Sequence, residues 1–225
     1  MLLISTLSYN QISTSIYVPM SYNKFKIETL QSKLQLNVIK QAWLKDNPEP
    51  YKEDLFLMTW LAEISNIFLG SEKARSEFVV TPILQALNRR NKNKFSIFSG
   101  YEFNIDKEIE LNGFCDFILS LKPDSLIVEA PAFFVVETKK TDIDDNAIAQ
   151  CGAEMFAAQI FNERNGRPQK IMYGCVTSGF SWVFLKLEKK TLSIDANNVP
   201  FTFKNPYPVL KTLQWVLDQS IFESR

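Results

Sequence analysis

The stretch "FFVVETKK" at 133–140 restricts the fold more than any other part of the chain. Its apolar Phe and Val residues describe a strand inside a core, with Pro131 marking where the ordered part begins. The strand then ends on charge: Glu137, one spacer, and Lys139. Side chains alternate across a strand, so Glu137 and Lys139 share one face and Thr138 points away. A buried strand that delivers a carboxylate and an ammonium to the same side at its end calls for a partner on a neighbouring strand.

Asp116 is that partner. It interrupts the apolar pattern of "FCDFILSL" (114–121), which reads as the preceding strand. As hairpin neighbours the two strands bring Asp116 to about 5 Å from the Glu137 position. Upstream, "FSIFSGYEFNI" (95–105) alternates as another strand, followed by a turn at "DKEIELNG". Downstream, Thr141 or Asp142 caps a long helix through "IDDNAIAQCGAEMFAAQIFNERN", closed by Gly166. "KIMYGCV", "FSWVFLKLE" and "TLSIDA" then read as strands, and "YPVLKTLQWVLDQSIF" as a closing amphipathic helix. Before the strands, residues 25–45 carry a helical spacing stopped by "NPEP" (47–50). Residues 51–69 read as an apolar helix ended by Gly70. Ser71 caps a further helix through 90, in which Pro82 imposes a kink or a division into two.

The order is helix, three strands, helix, further strands: an α/β (α+β) mixed sheet flanked by helices. With 225 residues, 46% of them apolar, the chain suffices for one generous domain or a core with an extension. The expected division is an N-terminal extension over 1–69, mostly helical from about 25, a core over 70–195, and a C-terminal helix over 196–225. Residues 1–19 lack the basic n-region, sustained apolar core and cleavage pattern of a signal sequence, and Met20 opens a second plausible start. No apolar run approaches the roughly 20 residues of a membrane span.

Composition excludes much chemistry. The chain has no histidine, which removes Ser-His-Asp and Cys-His catalysis and His-containing zinc sites. Cys115, Cys151 and Cys175 have no CxxC spacing and read as buried reduced thiols of a cytoplasmic protein. Lys+Arg and Asp+Glu both total 25, so an anionic partner must be met by a local patch or a metal. Neither GxGxxG nor GxxxxGK[ST] occurs.

Asp116, Glu137 and Lys139 suit phosphodiester hydrolysis. Two hard carboxylates, with the Thr138 backbone carbonyl and water, are ligands for Mg²⁺, with Mn²⁺ as substitute. Such a metal polarises the phosphoryl group and lowers the pKa of a bound water. Lys139 orients that water or stabilises transition-state charge, and a role as general base requires a depressed pKa.

These residues resemble the PD-(D/E)XK nuclease superfamily, closest to the N-terminal nuclease domain of type I restriction-enzyme R subunits and their stand-alone bacterial relatives. "LNGFCDFILS" (111–120) matches the Gly-x-x-Asp segment, with Cys115 in place of Pro, and "FFVVETKK" matches the hydrophobic-ExK strand. "SEKARSEFVVTPILQAL" (71–87) is similar to the preceding acidic helix, "AIAQCGAEM" (147–155) to the glutamine helix, and "VTSGFSWVFLKLE" (176–188) to the closing strand–turn–strand. The matches run in family order over roughly 70 to 195. The resemblance implies an α-β-β-β-α-β restriction endonuclease-like core and Mg²⁺-dependent DNA cleavage in a restriction, defence or mobile-element setting. It also implies Asp116 and Glu137 as metal ligands, Lys139 as catalytic lysine, and Gln150 as a residue organising the site or touching DNA. Glu72 and Glu77 both fit the acidic position of the first helix. Where the family often has Tyr four residues after the glutamine, Glu154 stands here, on the same helix face as Gln150. Arg89, Arg90 and Lys140 are candidate DNA contacts. A homodimer or a partner subunit supplying specificity fits a chain without a motor or target-recognition segment. The competing reading is a nuclease-fold module that binds nucleic acid or protein without cleaving.

Overall fold

A computed structural model of the chain describes residues 21–44, 51–141 and 143–224. The expectations for residues 1–19 and Met20, for the "NPEP" stop and for Asp142 as a cap lie outside the described residues. Strands β1 (Asn37–Gln41), β2 (Ser96–Glu102), β3 (Phe114–Ser120), β4 (Ala132–Thr138), β5 (Ile171–Thr177), β6 (Ser181–Glu188) and β7 (Thr191–Asp195) lie in the order β1-β7-β6-β5-β4-β3-β2. A short β8 (Val199–Pro200) pairs with β6 off that path. The sheet is mixed: β1/β7 and β4/β5 are parallel and the other pairs antiparallel.

β4 lies inside this sheet, between β5 and β3, and all seven of its residues are buried. That explains its unbroken apolar run, because a central strand needs apolar side chains on both faces. Val135 enters a core shared with helix α5 (Asp145–Arg164) and the N-terminal residues Tyr22, Phe25 and Leu30. Phe134 and Val136 enter the opposite core, with Leu57 and Leu61 of α2 (Leu55–Ile64), Ile83 and Leu84 of α4 (Thr81–Arg90), and Leu213 and Leu217 of α6 (Tyr207–Glu223).

Helix α5 lies close to the sheet because small residues meet there. A Cβ on Gly174 of β5 would run into Met155 Sδ, and one on Gly152 would stand 2.7 Å from Leu192. Its N-cap is Asp144, which accepts from Ala147 N at 2.8 Å, rather than Thr141. Buried Asn162 near its end accepts from Ala132 N at 2.8 Å and donates to Ala132 O at 2.6 Å. One side chain thereby supplies both bonds of a strand partner at the start of β4.

Two expectations need correction. Residues 25–45 are not one helix: α1 covers only Ile27–Ser32, Gln35 takes a left-handed φ of 57°, and Asn37–Gln41 forms β1. Leu34 and Leu36 are still buried, but the pairing with β7 is a tertiary contact that local spacing does not encode. The helix expected over 51–69 is confined to Leu55–Ile64, so Gly70 does not cap it; its start is set by Asp54, which accepts from Leu57 N at 2.9 Å. Of the two alternatives expected around Pro82, the division holds: α3 (Glu72–Arg75), capped by Ser71, runs through a π-helical turn at Ser76–Val80 into α4. Pro82 has no N–H for the carbonyl four residues back, and Trp60 Nε1 supplies that bond to Phe78 O at 2.9 Å. Cys115, Cys151 and Cys175 are free and buried, and among the described residues no helix is long and apolar enough to cross a membrane.

Candidate active site

β3 and β4 pair down to Phe117 opposite Val136, and one further step of that register sets Asp116 opposite Glu137. There the Asp116 side chain takes over from the backbone ladder: its Oδ2 accepts from Thr138 N at 2.7 Å. On the other side of β4, Lys139 N donates to Thr177 O of β5 at 2.8 Å. The end of β4 is thus held from both flanks, which fixes the direction of Glu137 and Lys139. Gly113, opening the Gly-x-x-Asp segment, has a φ of 137°, and a Cβ there would stand 2.8 Å from Ser21 Oγ. A side chain at that position would be strained whatever its chemistry.

Glu137 is 2% exposed. Its Oε1 accepts from Lys139 Nζ at 2.5 Å, while Oε2 is buried with no hydrogen-bond partner. Lys139 Nζ also donates to Gln150 Oε1 at 3.2 Å, and Gln150 Nε2 donates to Glu154 Oε1 at 3.2 Å. Glu154 is fully buried, and its Oε2 also lacks a partner. The sheet end and α5 therefore share one polar line, Glu137–Lys139–Gln150–Glu154.

The electrostatics follow from burying several acids beside one cation. Burial, reinforced by the Asp116 carboxylate, pushes Glu137 up to about 8 against the opposing pull of Lys139. Burial also raises Asp116, with the Thr138 N–H and the Lys139 ammonium working against it. Burial pulls Lys139 down, but the Glu137, Glu72 and Asp116 carboxylates together outweigh it and hold the ammonium above its ordinary value. Glu154 lies well above the usual carboxylate range, first through burial and then through Glu137.

This donor set fits a hard divalent cation. Asp116 and Glu137 offer carboxylate oxygens, one of them buried and unpaired, and a +2 charge would relieve their mutual repulsion. Among the described residues no group of three or more His, Cys, Asp or Glu side chains converges as a ready ligand set. Side-chain donors are thus the two carboxylates, leaving the Thr138 carbonyl and water to complete the shell, a pattern usual for Mg²⁺.

The structure separates the remaining candidates. Glu72, exposed at the start of α3, is near enough to raise both Glu137 and Lys139. Glu77 pairs on the surface with Lys73 at 2.6 Å. Arg89 is engaged elsewhere, bonded to Asp54 at 2.9 Å and over the Phe56 ring, and Arg90 lies over Tyr51. Lys140 is exposed beside the site. Glu154 entered the sequence reading only as a helix neighbour of Gln150; the signal for more was a charged residue within the small, apolar run of α5. Arg75 was missed altogether. It ties α3 to the β5–β6 turn by donating to Leu69 O at 2.9 Å and Ser178 O at 3.1 Å, and nothing in its local sequence marks it. The chain matches no family model and no curated protein.

Proposed function

We propose that this chain is a Mg²⁺-dependent nuclease that hydrolyses DNA phosphodiester bonds. The observation that carries this reading is the placement of Asp116, Glu137 and Lys139 together on two adjacent strands, with one Glu137 oxygen buried and unpaired. The run α4, β2, β3, β4, α5, β5 supports it, having the element order of a restriction endonuclease-like core. In this reading Asp116, Glu137 and the Thr138 carbonyl hold the cation, which supplies Lewis-acid activation of phosphate and water. Lys139, kept charged by Glu137, stabilises the negative charge that builds on the phosphoryl oxygens. Gln150 holds Lys139 from the helix side, and Glu72 adds negative potential at the mouth. Lys140 is placed to meet a backbone phosphate, whereas Arg89 and Arg90 serve the link between α4 and residues 51–56. The setting we infer is cytoplasmic, in restriction, defence or mobile-element biology, with a homodimer or partner subunit supplying specificity.

Incubation with supercoiled plasmid and Mg²⁺ or Mn²⁺ tests the reading. We expect nicked or linear product from the wild type, and none from Asp116→Ala or Lys139→Ala. Cleavage surviving in either variant would remove the site from consideration. The second reading, a binding module that does not cleave, draws on the deep burial of Glu137 and on a net charge of zero. Its signature is a DNA mobility shift without cleavage at any metal concentration.

A further inference from the structure

Along the buried face of α5 the side chains are small or apolar, apart from Gln150, Glu154 one turn on, and Asn162 near the helix end, which is bonded to Ala132. The fully buried Glu154 makes one hydrogen bond, accepting from Gln150 Nε2 at 3.2 Å. Burying a carboxyl group costs several kcal/mol, so a position that only filled space would be better served by Leu or Met.

The amide between Glu154 and Lys139 explains what Glu154 does. A carboxamide is nearly symmetric in shape but opposite in polarity at its two ends. Only its oxygen can face an ammonium, as Gln150 Oε1 does toward Lys139 Nζ at 3.2 Å. Packing alone does not choose between the two orientations; the ammonium in front and an acceptor behind the NH₂ group choose it together. With Gln150 so fixed, two directions of the Lys139 ammonium are taken, by Glu137 Oε1 at 2.5 Å and by Gln150. The third N–H remains for a water or a phosphate oxygen.

We propose that Glu154 is a positioning residue: by accepting from Gln150 it keeps the amide carbonyl toward Lys139, and so aims the lysine ammonium at the reacting phosphate. This rests on the nuclease reading for its catalytic consequence, though not for the arrangement itself. Burial, reinforced by the neighbouring Glu137, raises Glu154 well above the usual carboxylate range, and a carboxyl oxygen accepts a hydrogen bond in either protonation state. Glu154→Gln retains the shape and the acceptor, whereas Glu154→Met keeps the length and removes the acceptor.

The test pairs these variants, with Glu154→Leu as a second apolar replacement should the Met variant fail to fold. Glu154→Gln is expected to cleave plasmid within about threefold of wild type, and Glu154→Met to lose about tenfold or more in kcat, the value of roughly one misplaced hydrogen bond. The thermal midpoint of Glu154→Met should change little, since the unpaired Glu154 Oε2 goes while the Gln150 NH₂ group loses its acceptor, so lost activity with retained stability separates aiming from folding. The side-chain amide protons of Gln150, followed by NMR, should exchange slowly in wild type and Glu154→Gln and rapidly in the apolar variants. Wild-type cleavage by an apolar variant, or equal loss in a folded Glu154→Gln, overturns the proposal. If the wild type itself cleaves nothing, the nuclease reading fails separately; protected Gln150 amide protons in Glu154→Met would then refute the positioning role.

Discussion

Glu137 has an unpaired oxygen in the core and an ion pair with Lys139, and it titrates near neutrality rather than as an ordinary glutamate. Because its folded-state pKa lies above the unfolded value, the folded protein binds the extra proton between about 4.5 and about 8. Metal-free stability must therefore fall as pH rises through that window. Thermal midpoints measured in chelator from pH 5 to pH 8 should decline, and Glu137→Gln should flatten the decline. Saturating Mg²⁺ should also flatten it, because the cation stabilises the ionised pair. A midpoint independent of pH in chelator would refute the assignment of Glu137 as the raised group. Glu154, raised for the same reason, contributes in the same direction and accounts for slope left in Glu137→Gln.

Among the elements, the contact of α5 with β5 sets the depth of the site, since Gln150 and Glu154 reach the β4 residues only when the helix lies close. Gly174→Ala would push its methyl into Met155 Sδ and Cys151 Sγ. It should cost about 1–3 kcal/mol in urea unfolding, and should weaken Mn²⁺ binding measured by electron paramagnetic resonance if the helix moves away. The junction of the π-helical turn with α4 has its own check. Trp60→Phe leaves the Phe78 carbonyl without its donor and should destabilise by about 1 kcal/mol, with little change in metal binding. The helix start at Ser71 and the apolar strand β4 were legible because their signals are local: a side-chain cap three residues from its partner, and an uninterrupted apolar run. The end of α2 and the π-helical turn were not, since the first depends on where the chain turns back and the second on a tryptophan 18 residues upstream.

Across the whole molecule the described residues before 70 are built into the fold. Tyr22, Phe25, Leu30, Leu34 and Leu36 are buried in the α5-side core, and Tyr22 donates its hydroxyl to Phe103 O at 2.5 Å. A fragment restricted to 70–195 exposes that core and loses the β7 partner; we expect it to show no cooperative thermal transition by circular dichroism. A sharp transition in that fragment would establish the N-terminal part as dispensable for folding. Sequence alone determined the mixed α/β class, the β3 and β4 strands, and the shared face of Glu137 and Lys139, because strand alternation needs no distant partner. Tertiary structure decided the rest. It made residues 37–41 a strand through pairing with residues 191–195, brought Glu72 rather than Glu77 toward the site, and carried the site's polar line through Gln150 to Glu154. Those outcomes depend on contacts between residues far apart in the chain, and periodicity carries information only along it.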